Sequence, residues 1–199
     1  EYAYLDGVEL ASVSQPREGA DWAALCAVAV AAAFDPAVDE ERLVEIVLGI
    51  GHDNCPEVYY SINHMLRMPV RRGSTDDAAF ARWWLECGGR GDGRNETNWI
   101  GYNPMEFVVP LLLRYGQDAA KFMALMTSAT PFSWYDASTG GHPVPAIIGG
   151  AIIGAMYGPT AFPQTSLDWA QPITVPGFAM GDVVQRRLAT ERASTANTE

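Results

Sequence analysis

The residues able to do chemistry in this chain are few, and they sit in short polar stretches between apolar ones. Trp134 and Tyr135 offer rings that stack on a base or a sugar face, with Asp136 beside them. Four residues on, Gly140-Gly141-His142-Pro143 opens into an apolar run. The loop Thr139–Pro145 would form one wall of a ligand site at a helix N-terminus, where free N–H groups and the helix dipole favour anions. Asn98 and Asn103 flank Trp99 and Tyr102, a second polar and aromatic stretch that would line a ligand cleft. The other candidates have ordinary structural explanations. His52-Asp53-Asn54 reads as turn and cap residues ahead of Pro56. His64 reads as a half-buried histidine. Cys55 has no histidine or aspartate at a spacing that specifies a nucleophile. Ser74-Thr75-Asp76-Asp77 approximates a capping box.

The elements that must position these residues are helices. Ala20–Phe34, capped by Asp21, carries Trp22, Leu25, Val28, Ala29 and Ala32 on one face. After Asp35-Pro36, Asp39 caps a second helix, Glu40–Ile50, and the pair reads as an αα-hairpin. A third helix starts near Pro56 and is stopped by Pro69. Asp76–Cys87 follows and closes on Gly88-Gly89. Pro104–Tyr115 is strongly apolar, ends at Gly116, and contains Pro110 as a kink signal. Asp118 caps Ala119–Thr127. The apolar stretch ending at Gly158 carries Gly150, Gly154 and Gly158 at four-residue spacing, which stacks them on one helix face. Each glycine costs about 1 kcal/mol against alanine in a helix interior, so the spacing predicts close approach of a neighbouring helix. Met180–Arg192 reads as a last helix. Glu1–Gly19, with turn signals at Asp6-Gly7 and Pro16, stays open between a frayed helix and the tail of another element. With no alternating strand and no repeat, the expected fold is an all-α domain of about eight helices over residues 1–192, with a polar tail at 193–199.

Composition narrows the partners. The chain has 199 residues, 48% of them hydrophobic, which is ample for a core. Its net charge of −11 and its single lysine, Lys121, exclude the basic stripe of a nucleic-acid binder. Three cysteines, without metal-ligand spacing, argue against a disulfide framework and point to a reducing, cytoplasmic setting. The apolar run Ala146–Tyr157 is too short to span a bilayer, and no membrane partner is expected. Arg90–Thr97 contains an Arg-Gly-Asp tripeptide and a glycosylation sequon, patterns short enough to arise by chance.

Taken in order, Tyr102-Asn103, the tract Val109–Asp118, Phe122–Thr127, Gly140-Gly141, Gly150–Gly158, Pro163 and Trp169 resemble the C-terminal half of the ADP-ribosylglycohydrolase family. In that family a helix ending in a Leu-Tyr-Gly-like turn precedes a short helix. A Gly-Gly-Asp-Thr-Asp loop and a small-residue helix follow. The resemblance covers roughly residues 98–183. It implies an orthogonal multi-helix domain, incomplete at its N-terminus, that hydrolyses an N- or O-glycosidic bond to ADP-ribose or a related ribosyl group with Mg2+. The substrate would be a small molecule or an ADP-ribosylated one. The family's carboxylate positions are occupied here by His142 and Val144 when the glycine pairs are aligned, and an alignment on Trp134 leaves Asp136 as the surviving metal ligand. By the same resemblance, Asn98, Asn103, Trp134, Gly140, Gly141 and His142 would touch ligand. The departure at the loop raises the alternative of a catalytically degenerate member serving as a nucleotide-binding or structural module. First residue Glu1 is not methionine, so a fragment or processed chain is expected, with an N-terminal segment or a homo-oligomer covering its core.

Overall fold

Residues 1–71, 76–81, 104–128 and 144–164 are described by a computed structural model of the chain. They form α1 (Tyr2–Ala11), α2 (Arg17–Ala33), α3 (Glu40–Asn54), α4 (Pro56–Arg71), a helical segment at 77–81, α5 (Pro104–Tyr115), α6 (Ala119–Ser128), α7 (Val144–Tyr157) and a 3-10 turn (Pro159–Ala161). No strand occurs among the described residues, and the fold class is all-α as the sequence implies. The chain divides into two compact units, Glu1–Ala161 and Phe162–Glu199. Of the second, only Phe162, Pro163 and Gln164 are described. The expected helices Met180–Arg192 and most of Asp76–Cys87, and the tail at 193–199, lie outside the described residues.

In the first unit α2 is the central element, touching α1, α3, α4, α5 and α7. Its sequence explains both the helix and the crowding. Alanine gives up no side-chain entropy in a helix, and its small size lets neighbours come close. Ala20, Ala24, Leu25, Val28, Ala29 and Ala33 are all buried. The helix begins three residues earlier than the Ala20 start expected from sequence, behind Pro16 at the N-cap position. Asp21 is therefore not a cap. It lies inside the helix, where Tyr4 Oη donates to its Oδ1 at 2.8 Å.

Residues 2–11 resolve the open N-terminal stretch as a helix, and Gly7 changes its meaning there. A Cβ at Gly7 would fall 2.7 Å from the Ala24 Cα. The glycine is a site of backbone contact between α1 and α2 and not a turn.

Asp39 caps α3 as expected, accepting from the Arg42 N–H at 2.8 Å. Glu40 and Glu41 in the first turn and His52 in the last suit the helix dipole. Cys55, with φ −145° and ψ 75°, breaks the chain between α3 and α4, and Pro56 opens α4. The α4 helix continues past Pro69 to Arg71, so that proline does not stop it. A proline in the last turn forfeits one hydrogen bond, which a helix packed on its neighbours survives. Likewise Pro110 is buried within α5, which runs unbroken from Pro104 to Tyr115.

The core joins these helices through fully buried Leu25, Leu43, Val47, Val58, Ile62, Met105, Leu111, Leu112, Phe122, Ile152 and Ile153. Helix α7 packs on α2, α5 and α6, and a glycine outside the four-residue stripe is tightly seated there. Gly149, Ile152 and Ile153 are buried and share a face by helical spacing. A Cβ at Gly149 would meet Phe122 Cε1 at 2.8 Å and Cζ at 2.9 Å. At Gly150 the nearest atom is Met123 Cε at 3.5 Å, an ordinary contact. Gly150 and Gly154 are half-buried, about 100° round the helix from the Gly149 face. What approaches Gly149 is the edge of an aromatic ring.

Candidate functional site

The residues that the sequence nominates for ligand contact, Asn98, Asn103, Trp134, Gly140, Gly141 and His142, and the metal candidate Asp136, all lie outside the described residues. The described part reaches their neighbourhood at one point. Val144 is the first residue of α7, so the tract Gly140–Pro143 joins directly to that helix's N-terminus. There the first backbone N–H groups have no partner within the helix.

Magnesium is the ion the resemblance implies, and the donor chemistry can be tested. Mg2+ takes hard oxygen ligands in near-octahedral geometry. Aligning the glycine pairs puts His142 and Val144 at the family's carboxylate positions, and neither side chain carries an oxygen, whereas aligning on Trp134 leaves Asp136, which lies outside the described residues. Among the described residues no three of histidine, cysteine, aspartate and glutamate converge where they could hold a metal.

A separate cleft is present at the other end of α7. It has a volume of about 580 Å³ and is lined by Asp39, Glu40 and Glu41 from the start of α3, the α5 end from Leu112 to Tyr115, and the turn Gly116-Gln117-Asp118. Three elements meet on Glu40. Tyr157, the last residue of α7, donates its hydroxyl to Glu40 Oε1. A Cβ at Gly116 would lie 2.5 Å from Glu40 Cγ. Gly116 thus follows α5 because only glycine leaves room for the Glu40 side chain, and its φ is not positive. By contrast Gly158, just past α7, has φ +71° and forms the left-handed cap glycine favours. Burial, then the Glu40 carboxylate, pushes the Tyr157 phenol above its ordinary range, so it stays a donor. From Val144 to Tyr157 is about 20 Å along the helix.

Beside the cleft, the segment at 77–81 is fastened to α5 and α6. Asp76 caps it, accepting from the Ala79 N–H at 2.8 Å. Ser74, the other member of the expected capping box, lies outside the described residues. Asp77 accepts from Lys121 Nζ and from Arg114 Nε at 3.3 Å. The Lys121 ammonium hydrogen-bonded to Asp77 holds its carboxyl below the usual range. Tyr115 Oη donates to the Asp77 carbonyl at 3.2 Å, and Phe80 packs edge-on to Tyr115 with ring centroids 5.7 Å apart. Asp77 is fully engaged as an ion pair.

The remaining polar groups are structural. Buried Tyr4 and Asp21 pair, and Arg17 Nε closes on Asp21 at 3.2 Å from the surface. Burial raises the Tyr4 phenol, the Cys55 thiol beside it, and the Cys26 thiol, the last up to about 12. A thiol that remains protonated is a poor nucleophile, which agrees with the absence of a nucleophile signature around Cys55. His52 is exposed beside Asp53 at 3.0 Å. His64 is half-buried, as expected.

Sequence reasoning found the caps Asp39 and Asp118 and the end of α5 at Gly116, but not the Glu40–Tyr157 contact. Those residues are 117 positions apart, and no local pattern links them. No helix among the described residues is long and apolar enough to cross a membrane. No protein-family model, curated protein or solved structure matches this chain.

Proposed function

We propose that this chain is an ADP-ribosylglycohydrolase-like protein whose ligand is ADP-ribose or a related ribosyl group, and whose reaction is hydrolysis of an N- or O-glycosidic bond to it. The supporting observation is the succession of α5, α6 and α7 across the tract that carries the resemblance. Helix α5 ends at Tyr115-Gly116, the short helix α6 follows, and the small-residue helix α7 begins directly after Gly140–Pro143. In this reading the loop ahead of α7 holds the ligand's anionic part against the helix N-terminus. Trp134 stacks on its base or sugar. No catalytic step is assigned through magnesium, because the donors His142 and Val144 of the glycine-pair alignment do not suit it and the alignment on Trp134 leaves Asp136 alone.

That mismatch favours a second reading, in which the chain binds the ligand without cleaving it. One pair of measurements separates the two. Calorimetric titration with ADP-ribose, with and without magnesium, reads binding; release of ADP-ribose or ribose from model conjugates reads hydrolysis. Binding with release supports the first reading, and binding without release supports the second. No heat in either titration and no release would overturn both.

A further inference from the structure

We draw no further inference here: the strongest candidate, the acidic cleft between the N-terminus of α3 and the C-terminal turn of α5, is a carboxylate cluster in which Asp39 and Asp118 are engaged as helix caps and Glu40 by Tyr157, and no second observation points to a ligand for it.

Discussion

Adjacent glycines on α7 should respond to alanine with opposite signs. In Gly149→Ala the new methyl would lie 2.8 Å and 2.9 Å from two ring atoms of Phe122 and 3.3 Å from Met126 Cε. Phe122 is fully buried and Met126 nearly so, which leaves the ring little space to retreat. Overpacking of this kind costs about 1–3 kcal/mol. Replacing a helical glycine by alanine returns about 1 kcal/mol. The net effect is a loss of up to about 2 kcal/mol, or a fall in melting temperature of up to about 4–8 °C at 2–4 °C per kcal/mol for a chain of this size. Gly150→Ala places its methyl 3.5 Å from the flexible end of Met123, and Gly49→Ala on α3 meets nothing within 4 Å. Both should gain up to about 1 kcal/mol and melt higher. Thermal unfolding followed by circular dichroism reads all three. Pairing Gly149→Ala with Phe122→Leu should cost less than the sum of the two changes, because removing the ring relieves the clash. If Gly149→Ala melts at or above wild type alongside Gly150→Ala, the seating of Phe122 on Gly149 is wrong.

Other outcomes follow from the polar contacts and the surface. Tyr4→Phe removes the donor to buried Asp21 and should cost about 1–3 kcal/mol in urea unfolding; an unchanged midpoint would dismiss that contact. Lys121 depresses the Asp77 carboxyl in the folded chain, so its stabilisation is present above the unfolded value of about 3.9 and fades as pH falls through the lower folded value. Asp77→Asn should therefore be the less stable protein at pH 7, with the gap closing in strong acid and in high salt; a pH-independent gap would count against the ion pairs. Cys26 and Cys55 should resist a thiol reagent at pH 8 until the chain is unfolded, and rapid native labelling of either would contradict their burial. Tyr2, Leu10 and Val13 are 84%, 77% and 86% exposed, so the chain is expected to be dimeric or aggregation-prone in light scattering, with Leu10→Glu reducing association at unchanged melting temperature. A monodisperse monomer would count against this.

Local chemistry determined much of this protein. Asp39 and Asp118 announce helix starts because a short carboxylate next to free N–H groups has one favourable use, and the apolar periodicity of Pro104–Tyr115 located that helix to the residue. The all-α class followed from the same periodicities. The tertiary structure decided what one-dimensional spacing does not contain. The Gly-x-x-x-Gly stripe marks a small face, but it does not contain Gly149, which the packing of α7 on α6 seats against Phe122. Asp21 looks like a cap by composition, yet it lies inside α2, where α1 supplies Tyr4 as its partner. Gly7 and Pro69, turn and stop signals by propensity, sit inside helices. Propensities of about 1–3 kcal/mol yield when packing against neighbouring helices contributes more. Glu40, Gly116 and Tyr157 meet only because three helix ends converge, and contacts across so many residues leave no trace in local sequence.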